Sequence, residues 1–408
     1  MIEWSQETIT AFQKTLLNWY DQHKRDLPWR KDHDPYHVWV SEIMLQQTQV
    51  QTVIPYYLRF MKEFPTVQAL ADADEAHLMK AWEGLGYYSR ARNLQKAARQ
   101  IVTDYHGQWP TTVKGLQELS GVGPYTAGAI ASIAFNQPVA AIDGNAFRVF
   151  SRLLEIDDDV AKPQTRKVFE NVVDQIISKD RPGDFNQAIM DLGTSYMSAA
   201  NYDSSHSPVK EFNQAYLDGI EDQFPVKTKK KRPVRHDFFA LVLHADNQIL
   251  FDKRPSTGIL ANFLMFPMFD QHDLIKDKSD SQEVLIHRVE EQMSTEDRLP
   301  VHLHQLPAKP VIHTFTHQQW HITLLRGSLP ADSDLSYFPG KWIQIDHFND
   351  IAFPKVQLKM WQAYQKAIAK INHFFQQSER SGFCLSNLKS NVFVACGVHR
   401  ELFAVLYQ

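Results

Sequence analysis

The segment LSGVGPYTAGAI, residues 119–130, concentrates residue types that can hold an anion. Gly121 and Gly123 permit a tight turn whose amide hydrogens point outward around Val122. Pro124 suits the first turn of a following helix. Outward amides beside a helix N-terminus make a site for a phosphate, although Gly-x-Gly alone equally marks an ordinary helix–helix connection. Two carboxylates add acid–base chemistry. Glu42 lies in an apolar, aromatic stretch beside Trp39, Ile43 and Met44, where burial would raise its pKa and keep it protonated near neutral pH. Asp143 precedes Gly144 and Asn145, a setting for a turn or for the cap of the next helix. Two carboxylates in different environments can supply an acid and a fixed anion. On residue type alone each is better read as a surface charge or a helix cap, and only the surrounding motifs set this pair apart.

Helices must position these groups. Apolar residues recur at three- and four-residue spacing from residue 5 to about 220. In VWVSEIMLQQTQVQTVIPYYLRF an apolar stripe runs from Val40 to Tyr57, with Glu42, Gln46 and Gln49 expected on a different, polar face. The texture changes at PVKTKKKRPVR, residues 225–235, a basic run without apolar period, read as a solvated linker or a DNA-backbone contact. Beyond it the period becomes two: HDFFALVLHADNQILFDKRP predicts two strands around Asp246–Asn247, and VIHTFTHQQWHITLLRG a second hairpin. WIQID and a helix from Lys355 to about Ala369 complete an α+β domain.

A chain of 408 residues suits two or three domains. Its net charge of −4 does not by itself point to nucleic acid. The two cysteines, Cys384 and Cys396, argue against a disulfide scaffold and for a reducing, cytoplasmic setting. The start, MIEWSQET, has no apolar run, so no secretory signal is expected, and without a run of ~20 apolar residues no membrane span is expected either.

The 119–130 segment resembles the helix-hairpin-helix of the endonuclease III superfamily of base-excision glycosylases, and AIDGNAFRVFSRL resembles that superfamily's catalytic-aspartate segment. LPWR at 27–30, VSEIMLQQTQV at 40–50, WEGLGYYSRARNL at 82–94 and DFNQAIMDLG at 184–193 look like its MutY branch, the adenine DNA glycosylases. KRPSTGILANFLMFP at 253–267 and HTFTH at 313–317 extend the likeness, which covers about residues 5–370. It implies a multidomain chain: an all-α glycosylase domain at 1–224 with its hairpin at 119–130, a basic linker at 225–235, an α+β MutT-like (Nudix-like) domain at 236–370, and a tail at 371–408 without assigned role.

The resemblance also implies roles. Glu42 would protonate adenine and later activate water, Asp143 would stabilise the sugar cation, Asn145 would orient the catalytic groups, and Arg30 would hydrogen-bond Glu42 or the base. Bifunctional relatives carry a nucleophilic lysine where Tyr125 stands; a phenol forms no imine, so base removal without strand cleavage is expected. Trp29, Leu45 and Gln187 look like adenine-pocket residues. Gln47 and Tyr87 resemble wedges that fill the gap left by a flipped base, and Gly121, Val122 and Gly123 the phosphate-binding turn. Phe315, Thr316 and His317 would read 8-oxoguanine; relatives often carry serine where Thr316 stands. The expected partner is double-stranded DNA with A:8-oxoguanine or A:G pairs, bound by a monomer. Many relatives hold a [4Fe–4S] cluster on four cysteines; the family spacing puts Met197, Ser204, Ser207 and Asn213 there, so no cofactor is expected. In the second domain, Glu290 and Glu291 of HRVEEQM do not form the carboxylate box of a Nudix hydrolase, so recognition rather than hydrolysis is expected.

Overall fold

The computed structural model describes residues 4–229, 231–245, 247–296, 299–329 and 340–380. The chain divides into two compact units, Met1–Lys230 and Lys231–Gln408.

The first unit is helical. Its elements are α1 (Gln6–His23), α2 (Pro35–Leu45), α3 (Val50–Glu63), α4 (Val67–Asp72), α5 (Glu75–Ala81) and α6 (Ser89–Thr103). They continue as α7 (Val113–Gln117), α8 (Pro124–Phe135), α9 (Gly144–Leu154), α10 (Thr165–Ile176), α11 (Pro182–Ser195) and α12 (Gln214–Leu217). Ser5 caps α1 by accepting from the Thr8 N–H. The apolar face of α1 then buries Phe12, Leu16 and Tyr20 in a core shared with Phe150, Phe169 and Phe185. Phe12 packs edge-on against Phe185 and Phe212, at 6.1 and 5.5 Å between centroids, and Gln13 donates to the Ile176 carbonyl at 2.9 Å. So the start of the unit is closed against its end. Helix α8 is built of small residues, which lets neighbours approach closely: a Cβ on Gly128 would lie 2.2 Å from the Ala140 carbonyl oxygen.

One expectation is corrected here. The apolar stripe from Val40 to Tyr57 is divided between α2 and α3, with Gln47 at φ 57° in the break. Residues 46–49 are all polar, so no apolar side chain anchors a continuous helix there. Glu42, Gln46 and Gln49, expected on one polar face, do line a single cleft, although Glu42 is buried in it. Helix α2 buries every residue from Val38 to Met44, Glu42 included, because it packs inside the unit against α8 and α3.

The second unit is a mixed sheet between helices. It comprises β1 (Val234–Ala245), β2 (Gln248–Lys253), β3 (Leu264–Met265), β4 (Met268–Asp270), α13 (Gln271–Leu274) and α14 (Gln282–Thr295). There follow β5 (His302–Gln305), β6 (Val311–Thr314), β7 (Gln318–Ser328), β8 (Lys341–Gln344) and α15 (Lys355–Arg380). Both expected hairpins are present: β1 pairs with β2 antiparallel, and β6 with β7. Asp246, expected in the first turn, lies outside the described residues. The central pair, β1 with β7, is parallel from Val234↔Gln318 to Leu243↔Gly327. Alternate residues of β1 serve two cores. Phe239, Leu241 and Leu243 meet Leu285, Val289 and Met293 of α14; Ala240 and Val242 lie in the core with Val356, Met360 and Tyr364 of α15. Helix α15 continues past Ala369 to Arg380, since residues 370–380 contain neither glycine nor proline to stop it. Residues 381–408, with Cys384 and Cys396, lie outside the described residues. In the basic stretch, the Val226 carbonyl accepts from Val160 at 3.0 Å and the Thr228 N–H donates to Asp159 at 3.1 Å, while β1 begins at Val234. Among the described residues no helix is long and apolar enough to cross a membrane.

Candidate active site

A cleft of about 890 Å³ in the first unit gathers residues from distant segments. Trp29 and Arg30 come from the 3-10 turn Pro28–Arg30, Glu42 and Leu45 from α2, and Gln47 from the break that follows. Tyr125 comes from the first turn of α8, Asp143 and Asn145 from the start of α9, Gln187 and Met190 from α11.

Glu42 is only 6% exposed. Burial lifts its pKa to about 7; the Tyr125 hydrogen bond opposes the rise, the nearby Asp143 charge adds to it, and Arg30 opposes it. The Tyr125 hydroxyl donates to Glu42 Oε2. Burial and the two carboxylates hold that phenol well above 10, so it acts as a donor. A carboxyl with a pKa near neutrality, in a cleft, is suited to deliver a proton and take one back.

Asp143 caps α9. One carboxylate oxygen accepts from the Asn145 and Ala146 N–H groups at 2.9 and 2.7 Å, and the other from the Asn145 side-chain amide at 2.7 Å. Burial raises its pKa, and these donors together with Arg148 oppose the rise. The expected helix cap is therefore present, on a side chain that also lines the cleft. Asn145 is held in turn: its Oδ1 accepts from Arg148 at 2.7 Å, and Arg148 also grips the Gly144, Gly193 and Met197 carbonyls.

Arg30 differs from expectation. Its hydrogen bonds go to Asp191, at 2.7 and 3.1 Å, and not to Glu42, on which it acts through its charge. Asp191 is buried and also accepts from Arg25 Nε at 2.9 Å; a buried carboxylate needs such partners. Trp29 is fixed edge-on against Tyr57 at 5.3 Å, and Gln187 is buried on the cleft wall.

Tyr87 is 48% exposed and does not line the cleft; like Gln47 it has a positive φ, 47°. In the hairpin, Gly121 has φ 75°, and a Cβ there would come within 2.7 Å of the Asn93 Cβ. Val122 turns inward, buried, and spends its N–H on the Leu119 carbonyl at 3.1 Å, which removes it as an outward amide. Gly123 is the N-cap of α8 and has nothing within 4 Å of where a Cβ would stand, so an anion can approach its backbone.

In the second unit Phe315, Thr316 and His317 join β6 to β7. Phe315 is half-buried between Trp320 and His313, at 4.7 and 4.6 Å, whereas Thr316 and His317 are exposed. Glu290 on α14 accepts from the Leu303 N–H at 2.7 Å, tying the helix to β5.

Met197, Ser204, Ser207 and Asn213, where the family spacing would put cluster cysteines, are buried, and their donors are a thioether, two hydroxyls and an amide. Ser204 donates to the buried carboxylate of Glu221, and Asn213 donates to the same oxygen at 3.0 Å. Ser207 accepts from the Val209 N–H at 3.4 Å. This set does not fit a cluster that needs four thiolates.

Arg25, Arg148 and Asp191 escaped the sequence reading. Asp191 pairs with Arg25 across 166 residues, a separation that no local pattern encodes. Arg148 had a weak signal, three residues after Asn145 and therefore on the same helix face.

A family model described as HhH-GPD superfamily base excision DNA repair protein matches residues 40–175, and a NUDIX domain model matches residues 238–363. The chain is 35% identical to the adenine DNA glycosylase of Rattus norvegicus, over 88% of this chain and 78% of that one. It is 33% identical to the adenine DNA glycosylase of Homo sapiens, over 95% and 78%. It is 30% identical to that of Buchnera aphidicola subsp. Schizaphis graminum (strain Sg), over 88% and 100%.

Proposed function

This chain belongs to the adenine DNA glycosylase family of base-excision repair enzymes, and we propose that it hydrolyses the N-glycosidic bond of adenine opposite 8-oxoguanine or guanine without cutting the strand. The observation that carries this reading is the Tyr125–Glu42 hydrogen bond in a cleft shared with Asp143. It supports a phenol acting as a donor at the position where bifunctional relatives carry a lysine, and a phenol forms no imine.

Duplex DNA presents the adenine stacked, so the nucleotide is flipped into the cleft between Trp29, Leu45 and Gln187. Glu42, with a pKa of about 7, donates its proton to a ring nitrogen of adenine as the bond to the sugar breaks. Asp143, fixed by its three N–H donors, stabilises the positive charge that grows on the sugar, as an ion pair or a covalent acetal. Glu42, now a carboxylate, takes a proton from the water that adds to the sugar. The products are free adenine and an abasic site on an intact strand.

Thr316 and His317, exposed, and Phe315 behind them read the oxidised base in the opposite strand. The enzyme works as a monomer in a reducing cytoplasm. It works without an iron–sulfur cluster, a reading supported by the donor set at Met197, Ser204, Ser207 and Asn213. The test is single-turnover excision on labelled duplexes with A:8-oxoguanine, A:G, A:T or thymine glycol. Samples are read with and without alkali, alongside iron analysis of the protein. Excision from the first two, with breaks only after alkali and no stoichiometric iron, is expected. Excision from thymine glycol alone, or breaks without alkali, would overturn the proposal.

A further inference from the structure

Arg90, in the first turn of α6, makes more backbone contacts than any group in the cleft requires. Its Nη1 donates to the carbonyls of Ile43, Met44 and Gln46, at 2.7, 3.1 and 2.7 Å. Its Nη2 donates to those of Leu85 and Gly86, both at 3.1 Å. The first set is the C-terminal end of α2. The second is the turn before α6. One guanidinium therefore holds the carbonyl immediately before Gln47 and the carbonyl immediately before Tyr87. Those are two of the described non-glycine residues with positive φ, a backbone state that side chains adopt only when their surroundings enforce it. The guanidinium also lies 5.5 Å from the Tyr87 ring centroid and 5.4 Å from that of Trp82. Trp82 in turn donates to the Gly86 carbonyl at 3.2 Å.

We propose that Arg90 is a positioning residue for base flipping: by holding the carbonyls before Gln47 and Tyr87 it locks these two residues into one rigid pair. The proposal rests on the reading of those two residues as wedges. The chemistry favours arginine. Its planar fork directs N–H groups to two segments at once, whereas a lysine ammonium is a single point. Burial lowers the Arg90 pKa only to about 10, so the charge that polarises these bonds persists at neutral pH. Gln47 and Tyr87 are exposed side chains on separate segments. Prior fixing of their backbones spares the entropy of ordering them when they enter the DNA.

The test uses the full chain with Arg90→Lys, and Arg90→Gln should the lysine variant not fold. Flipping is followed by the fluorescence rise of 2-aminopurine placed at the target position opposite 8-oxoguanine. Single-turnover excision of adenine is measured from pH 5.5 to 9, with rate constants taken from the active fraction so that misfolded protein lowers only the amplitude. Arg90→Lys should slow flipping by about tenfold or more and leave the alkaline limb of the excision profile in place. In a cycle with Tyr87→Ala the two losses should not add, because both act through one wedge. Normal flipping in Arg90→Lys, additive losses, or a moved pH limb with unchanged flipping would overturn the proposal. The last result would show Arg90 acting through α2 on Glu42. If Gln47→Ala and Tyr87→Ala themselves flip normally, the wedge assignment falls and the clamp falls with it.

Discussion

Replacing Glu42 by glutamine should stabilise the protein at alkaline pH while abolishing its activity. The wild-type carboxyl titrates near 7 in the fold against 4.5 in an unfolded chain. Between those values the folded state holds a proton that the unfolded state has lost, so stability falls as pH rises through that window and the full penalty is present above about pH 7. At about 1.4 kcal/mol for each tenfold change in acidity, the penalty is about 3 kcal/mol. Glutamine never ionises, and its carbonyl can keep the bond from Tyr125. Its buried amide N–H groups cost about 1 kcal/mol in return if they find no partner, which leaves about 2 kcal/mol. Urea unfolding of both proteins at pH 5 and pH 8 would show the variant gaining at pH 8 and the gap narrowing at pH 5. Excision in single turnover should fall by about 10²-fold or more, as for loss of a general acid. Equal pH slopes for the two proteins, or near-normal excision by the variant, would refute the buried-acid reasoning.

Tyr125→Phe removes the donor that holds the Glu42 pKa down, so the alkaline limb of the excision profile should move to higher pH; a limb moved lower would contradict the assigned hydrogen bond. Gly193→Ala would place a Cβ 2.7 Å from that of Asn145, so excision should fall through displacement of the residue that holds Asp143, while equilibrium binding to the duplex changes little. Phe315→Ala with His317→Ala should weaken the preference for A:8-oxoguanine over A:G, by roughly 1–3 kcal/mol for each lost contact. Rates on A:G at saturating enzyme should hold, and an equal fall on both duplexes would count against lesion reading.

Local signals and distant ones differed in how legible they were. The Gly121–Pro124 turn rests on the freedom of glycine and the fixed φ of proline, the Asp143 cap on a side chain suited to capping, and both appear where the sequence puts them. The period-two strands of the second unit were likewise visible in the pattern. The break at Gln47 was not, because no glycine or proline marks it; its positive φ accompanies backbone bonds to Arg90, 44 residues after Gln46. Arg30 was expected to hydrogen-bond Glu42 or the base; its bond to Asp191, 161 residues away, was not legible. Burial of Glu42 was inferred from its apolar neighbours, and the helical period set it on a polar face with Gln46 and Gln49, which lines the cleft. Period marks a polar face but does not tell a cleft wall from open surface.

The join between the start and the end of the first unit also governs when activity can arise during synthesis. Phe12 needs Phe185 and Phe212, and Arg30 needs Asp191. By the time α9 has left the ribosome both carboxylates exist, yet the counter-charge for Arg30 and the cleft wall bearing Gln187 are still to be made. Contacts of such sequence separation form late and slowly. A chain cut short before α11 carries Glu42 and Asp143 but lacks Gln187 and Met190 of the cleft wall, so an interrupted translation product is expected to excise no base.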